Sequence, residues 1–419
     1  MRFLVLTQYF WPEVGGPQMR LSALVKELHR HGHEVEVVTA LPNYPRGRFF
    51  PGYSGRLYMR EAYLDSAVHR VWLYPAQGAG IKRMLNYGSF ALLSLMGLAR
   101  CKTPDYLFVN SPPLFLTIPA YLYSLWKRVP IIFNVADLWP DSVKQLGLWK
   151  EGPVLRFAES LERWTYQKAT FVTAVTEGIL KILVDKKGVP RENLLFLPNG
   201  VDTDLFSPRP PDREWMKKLG LDATKNMILY AGNHGFAQGL DTALRAAKKL
   251  EQESVQFVFV GDGSDKARLV RLREEMRLSN VTFLDPCSPE QVAQLYGTAT
   301  AALSTLRSSP LLEGARPAKI FSAMACGKPV LYSGAGEGAL LIQEAEAGMV
   351  TPPEDDEALA HAIKYLIQHH DVVERLGENG RRFVCEHYSW SVLVGRWLEQ
   401  LADRTSLRQA AQSQARAGF

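Results

Sequence analysis

Short apolar runs separated by stretches of helical periodicity recur along almost the whole chain, and this alternation limits its possible folds more than any other feature. In the first half the runs lie at residues 2–7, 34–39, 68–73, 106–110, 131–135, 171–175 and 194–198. In the second half they lie at 227–231, 256–260, 281–284, 301–304 and 329–332. Helical patterns stand between them, at 19–31, 240–252, 266–278, 289–296, 317–325 and 357–369. Strands that alternate with helices predict parallel, doubly wound α/β sheets. The two sets are separated by Pro198-Asn199-Gly200-Val201-Asp202 and by Phe206, Pro208, Pro210 and Pro211, a run rich in turn formers. The expectation is two Rossmann-like domains, 1–205 and 206–389, facing one another across a cleft. In residues 390–403, Trp390, Leu393, Val394, Trp397, Leu398 and Leu401 share one helical face. That helix is expected to return to the first domain, with a frayed polar tail at 404–419.

Composition narrows the function classes. The chain has 419 residues, of which 47% are hydrophobic and 22% charged, enough for two ordinary cores. Its start reads as a first buried strand and lacks the parts of a signal peptide. No apolar stretch is long enough to predict a membrane-spanning helix. Two come near it: residues 84–99, beside Lys82, Arg83 and Arg100, and residues 112–126, followed by Lys127 and Arg128. Buried helices account for both, and docking on a membrane surface is the sharper alternative. Cys101, Cys287, Cys326 and Cys385 show no metal-ligand spacing and read as reduced thiols. The first 200 residues carry 24 Lys and Arg against 15 Asp and Glu, while the remainder is slightly acidic. Such asymmetry points the first half at an anionic partner, against the plainer reading of solubility.

The most informative segment is Glu313-Gly-Ala-Arg-Pro-Ala-Lys-Ile-Phe-Ser-Ala-Met-Ala-Cys-Gly-Lys-Pro-Val330. Pro317 suits the first helical position, Gly327 suits the C-terminal cap, and Pro329 forbids continuation. Gly314 lets backbone approach a ligand, and the free N–H groups of the helix start attract anions. Arg316 and Lys319 add positive charge, so a diphosphate would fit. A capped helix with two solvated cations is the alternative. A second glycine loop, Tyr230-Ala-Gly-Asn-His-Gly-Phe-Ala-Gln-Gly-Leu240, follows a strand, but its spacing is not the dinucleotide fingerprint. Gly15 and Gly16 occupy the corresponding place after the first strand.

These stretches resemble the retaining glycosyltransferases of family 4, which have the GT-B fold. The resemblance rests on Gly15-Gly16-Pro17, Asn199-Gly200-Val201-Asp202 with Phe206, Val260-Gly261-Asp262-Gly263 and Ala323-Met-Ala-Cys-Gly-Lys-Pro-Val330. Three further signals are Pro42-Asn-Tyr-Pro45, Asp137-Leu-Trp-Pro-Asp141 and Tyr230-Ala-Gly-Asn233 through Ala237-Gln-Gly-Leu-Asp241. They look closest to bacterial O-antigen, capsule and exopolysaccharide transferases, including N-acetylfucosamine transferases. The resemblance implies donor contacts at Gly15, Gly16, Gly232, Asn233, His234, Gly235, Gln238, Gly261, Asp285, Gly314, Ala315, Arg316, Lys319 and Ser322. It implies catalytic roles for Asp137, Glu313 and Lys319. The family pairs two glutamates here; this chain keeps Glu313 and has Ser322 in the second place. Where the family has cations around the second glycine loop, this chain has Asn233 and Gln238, leaving Arg316 and Lys319 to replace them.

The implied function is transfer, with retention, of an N-acetylated amino sugar from a UDP-sugar to an undecaprenyl-diphosphate-linked saccharide. No metal or other cofactor is expected. The protein is expected in the cytoplasm, peripheral on the inner face of the bacterial membrane. Arg46, Arg48, Phe49, Phe50, Arg56 and Arg60 are the expected acceptor or membrane side; no nucleic-acid motif accompanies them. The alternatives are a GT-B nucleotide-sugar 2-epimerase and a non-catalytic nucleotide-sugar-binding protein.

Overall fold

The computed structural model describes residues 1–76, 80–141 and 152–417. The chain divides into two compact units, one of Met1–Asn199 with Leu393–Phe419, the other Gly200–Val392. The division falls at Asn199, inside the turn-rich segment and ahead of the boundary expected at 205.

Unit 1 holds eight strands: β1 Arg2–Leu6, β2 Glu34–Ala40, β3 Tyr58–Tyr63, β4 Ser66–Val71, β5 Tyr106–Ser111, β6 Ile131–Val135, β7 Phe171–Ala174 and β8 Leu194–Phe196. They form one sheet in the order β3-β4-β2-β1-β5-β6-β7-β8. Every pairing is parallel except the β3–β4 hairpin. Unit 2 holds β9 Asn226–Ala231, β10 Val255–Val260, β11 Val281–Leu284, β12 Ala301–Thr305, β13 Val330–Ser333 and β14 Gly348–Thr351. This sheet is wholly parallel, in the order β11-β10-β9-β12-β13-β14. The order reverses between β1 and β5 in unit 1 and between β9 and β12 in unit 2. Parallel sheets bind ligands outside the carboxyl ends of strands at such switch points.

Helices cover both faces of each sheet, so the central strands are apolar throughout; all six residues of β10 are buried. Two strands escape the sequence pattern. The edge strand β3, Tyr-Met-Arg-Glu-Ala-Tyr, is half-exposed and carries charge. β14 has only four residues, and Gly348 lets it close on β13: a Cβ there would stand 1.9 Å from Val330 O.

The last helix runs unbroken from Trp390 to Ala417, so the fray expected at 404–419 is corrected over its described part. Unit 1 ties it down. Trp397 is fully buried, donates Nε1–H to Thr173 Oγ1 at 3.2 Å and packs near Phe3 and Phe108. Beyond the expected end, Thr405 hydrogen-bonds Tyr106 Oη at 2.8 Å, and Arg408 donates to Thr170 O at 2.6 Å.

Candidate active site

At the carboxyl edge of the unit 2 sheet, the loops after β9 and β10 lie against one another. Gly232 N donates to Val260 O, His234 N to Asp262 O, and Asp265 N back to His234 O, each at 2.9 Å. Side chains have no room at this seam: Gly261 sits at φ 138°, and a Cβ on it would stand 2.0 Å from Gly232 O. His234, expected to touch the donor, is instead fully buried beneath the loop. Its ring lies among Tyr230, Phe259 and Phe283. Burial pushes its pKa down to about 4, so the imidazole is neutral at pH 7 and serves packing.

Lys319 stands over this seam. It belongs to the helix of the motif segment, Ala318–Ala325, which Pro317 caps, so the helix starts one residue later than expected. Its Nζ lies 4.7 Å from the centre of the Tyr230 ring, and the Tyr230 hydroxyl donates to Asn233 O at 2.7 Å. A Cβ on Gly232 would stand 3.0 Å from Lys319 Cε. No described carboxylate pairs with this ammonium; desolvation lowers it to about 8. Ser322 follows at i+3 on the same face.

Arg316 does not join Lys319 as a free cation. Its Nε lies 2.8 Å from Glu337 Oε2, and both side chains are half-buried. The two cations expected to replace those missing from the glycine loop thus differ: a carboxylate already faces Arg316. Glu313 is exposed. Its carbonyl accepts Glu337 N–H at 2.6 Å, and with Arg307, Ser308, Ser309 and Ala335 it lines a recess beyond β12. Ala315 N donates to Leu312 O at 3.0 Å, closing the turn that contains Gly314. Asp285 pairs with Lys266 at 3.1 Å, and Lys266 also binds Gly261 O and Leu284 O. That places Asp285 in a tether between β10 and β11. Asn233 is exposed, while Gly235 is packed against it and Gln238.

Arg307 is the residue missed from sequence. It follows β12 at the switch point and donates to Phe236 O at 2.9 Å, Glu354 at 2.7 Å and Asp241 at 2.8 Å. It thereby fixes the second glycine loop. Its position after β12 was the available signal; its partners are distant in sequence.

In unit 1, Gly16 opens the helix Gly16–Arg30, and a Cβ on Gly15 would meet Gln18 Oε1 at 2.5 Å. The buried Glu13 fixes this loop by accepting Asn43 N–H and Tyr44 N–H, both at 2.7 Å; burial raises its pKa. Arg20 is also buried and donates to Leu197 O at 2.6 Å and Asn199 Oδ1 at 2.9 Å. Asp137 is exposed just beyond the carboxyl end of β6.

The expected membrane residues are sorted by the structure. Arg46, Arg48, Arg56 and Arg60 are exposed. Phe49 packs on the unit 1 core and Phe50 is half-buried, so neither is a free anchor. Arg83 is engaged with the Tyr9 hydroxyl and stacked 4.7 Å over Tyr87. Further exposed apolar side chains line up on the helices Ile81–Leu98 and Thr117–Lys127. Ile81, Leu85 and Leu92 form a stripe on the first, and Ile118, Leu122 and Leu125 with Trp126 on the second. Among the described residues, no helix is long and apolar enough to cross a membrane.

Two wound parallel-sheet units, with glycine loops at their switch points, define the GT-B class of fold. Sequence and structure comparisons agree with it. Residues 15–200 match the family described as glycosyl transferase 4-like domain, and residues 211–383 match glycosyl transferases group 1. A protein of Escherichia coli (strain K12) named for colanic acid biosynthesis, the glycosyl transferase WcaI, is 30% identical over 389 residues, spanning 90% of this chain and 95% of that one. The O-antigen chain mannosyltransferase C of Escherichia coli is 31% identical over 41% of this chain and 46% of its own. Among solved structures, Anabaena Alr3699/HepE in complex with UDP and glucose superposes with a TM-score of 0.69 at 18% identity, covering 96% of this chain and 99% of that chain. Sucrose-phosphate synthase from Thermosynechococcus elongatus does so at 0.71 and 19%, covering 97% and 99%. The chain belongs to the family 4 glycosyltransferases.

Proposed function

We propose that the protein transfers a sugar from a UDP-sugar, with retention, to a lipid-linked saccharide during assembly of a bacterial surface polysaccharide. The observation that carries this reading is Lys319: an ammonium that no described carboxylate pairs, over Tyr230 and against Gly232, at the switch point of unit 2. A departing diphosphate gathers negative charge as the glycosidic bond breaks. A fixed ammonium and backbone N–H groups at the start of Ala318–Ala325 stabilise that charge without reorganising. In this scheme they do what a divalent ion does in other transferases, so no metal is asked for. Relatives named for colanic acid and O-antigen synthesis support surface-polysaccharide assembly as the setting. The N-acetylated amino sugar rests on the sequence resemblance alone.

Asp137, exposed beyond β6, is assigned to orienting the acceptor hydroxyl. The exposed stripes on Ile81–Leu98 and Thr117–Lys127 support peripheral attachment to an anionic bilayer, with Lys82, Lys127 and Arg128 beside them. The deciding experiment measures UDP release from a panel of UDP-sugars with and without lipid-linked saccharide acceptors. Acceptor-dependent release supports transfer. Equal release without acceptor, or none with any donor, overturns it. Asp137→Asn should keep UDP binding and lower turnover by about 100-fold.

A further inference from the structure

The unit 1 sheet assembles a ligand set that linear spacing cannot show. Glu36 on β2, His69 on β4 and Cys101 after the helix Ile81–Leu98 bring one carboxylate oxygen, one ring nitrogen and one sulfur within 4.8 Å of one another. The strand register explains the first two. β2 and β4 are adjacent, with Val38 opposite His69, so Glu36 and His69 project from the same face. Gly97 explains the third: a Cβ there would stand 2.7 Å from Val38 Cγ1, so the helix end lies directly on β2 and delivers Cys101 to that face.

We propose that Glu36, His69 and Cys101 form a binding site for a zinc-class divalent cation, structural in role and separate from the transfer site. His69 is only 3% exposed, and its Nε2 is buried with no hydrogen-bond partner among the described residues. It faces Glu36 Oε2 at 3.5 Å, too long for a hydrogen bond. That separation matches the edge of a zinc coordination tetrahedron, about 3.4 Å for ligand bonds of about 2.1 Å. The other ring nitrogen, Nδ1, lies 2.9 Å from the Tyr58 hydroxyl, which fixes the ring; in the metal-bound tautomer Nδ1–H donates to that oxygen. Cys101 Sγ lies 3.3 Å from Gly97 O and would release its proton on binding.

The donor set selects the metal. Sulfur, nitrogen and oxygen together suit zinc and disfavour magnesium and calcium, which take oxygen. The cations Arg60 and Arg100 act on His69 from nearby, Arg100 being stacked 4.7 Å over Tyr58. With the Cys101 proton released, a divalent ion held by a thiolate and a carboxylate gives a site of zero net charge beside them. The cluster lies near the amino ends of β2 and β5, whereas sugar and phosphate are expected at carboxyl ends. Its role is therefore to pin the Cys101 segment to the sheet.

The test uses the full chain, stripped by chelator, and does not depend on transferase activity. Cobalt(II) should give a thiolate-to-metal charge-transfer band saturating at one equivalent. Cys101→Ser should abolish it and Cys287→Ser should retain it. Zinc should raise the melting midpoint of the parent, and the rise should vanish in His69→Gln and Glu36→Gln. The parent's own cobalt titration keeps the proposal testable even if a variant folds poorly. Absence of the band in the parent, or a band and zinc-dependent rise that survive Cys101→Ser and His69→Gln, would show a hydrogen-bonded cluster only and overturn the site.

Discussion

Lys319 lies so close to Gly232 that a Cβ on the glycine would stand 3.0 Å from Lys319 Cε. The flexible end of a lysine can move away from that methyl group, but moving displaces its charge from the glycine loop. Gly232→Ala is also strained, because the position has φ 154°. UDP affinity, read by calorimetry, should fall in both Gly232→Ala and Lys319→Met. A charge-assisted bond to phosphate contributes about 1.5–3 kcal/mol, or roughly 10- to 150-fold in affinity. Arg316→Ala should lose less, since Glu337 already holds that guanidinium. Equal losses at Arg316 and Lys319 would refute the sorting of the two cations.

The pH dependence follows from the lowered lysine. Lys319 is cationic below about 8 and neutral above it. UDP affinity in the parent should therefore weaken as pH rises through 8, and Lys319→Met should flatten that profile. The stability effect has the opposite sign. Between about 8 and its ordinary value of 10.5, the unfolded chain holds a proton that the folded chain has lost. This lysine's contribution to stability thus grows with pH in that window. Denaturant titrations of parent and Lys319→Met across it would expose the difference.

His234 makes the reverse end of the scale informative. Its folded pKa lies at about 4, below the ordinary 6.5, because burial opposes the charged ring. As pH falls from 6.5 toward 4, the unfolded state takes up a proton that the folded state refuses, and stability drops. His234→Leu should reduce this acid sensitivity while leaving UDP affinity near the parent's. A large loss of UDP affinity would return the side chain to the binding surface.

Arg307 should behave as a positioning residue. It holds Phe236, Asp241 and Glu354 through separate guanidinium bonds, a geometry that lysine cannot reproduce. Both Arg307→Ala and Arg307→Lys are expected to raise KM for the donor about 10-fold or more, with a smaller fall in kcat. Partial proteolysis should show a loosened second glycine loop. An unchanged KM in Arg307→Lys would mean that charge alone suffices.

Vesicle co-sedimentation tests the apolar stripes. Exchange of Leu85, Leu92, Leu122 and Leu125 for serine should abolish binding to anionic vesicles. Loss of Lys82, Lys127 and Arg128 should weaken it by about 1 kcal/mol each at low salt. Phe49→Ser should instead reduce stability, because that ring packs on the core. Binding that survives the leucine exchanges would remove the two helices from the docking surface.

The wound sheets were legible because their central strands are buried on both faces and read as continuous apolar runs, as β10 does. β3 was not, since an edge strand with Arg60 and Glu61 carries no such signal. Lys319 was legible from its place at a helix start after a glycine. The silencing of Arg316 was not, because Glu337 reaches it from the following helix, Glu337–Glu344. Arg307 escaped for the same reason: its meaning resides in partners that only the fold brings near. Cysteine spacing likewise gave no hint of Glu36 and His69, which arrive from neighbouring strands.

Trp397 rests near Phe3 and Phe108, so residues made at the start of translation are covered by a helix made after all of unit 2. On the ribosome, the first sheet must wait, with those rings uncovered, while nearly two hundred intervening residues emerge and fold. Unit 2 waits in the same way: Val201 bridges Ser389, and Trp390 N donates to Val201 O at 3.1 Å, so its first segment is closed only by its last. Both units are therefore closed by one short stretch near the chain's end, and the nascent N-terminal sheet is the part whose apolar rings stay uncovered longest.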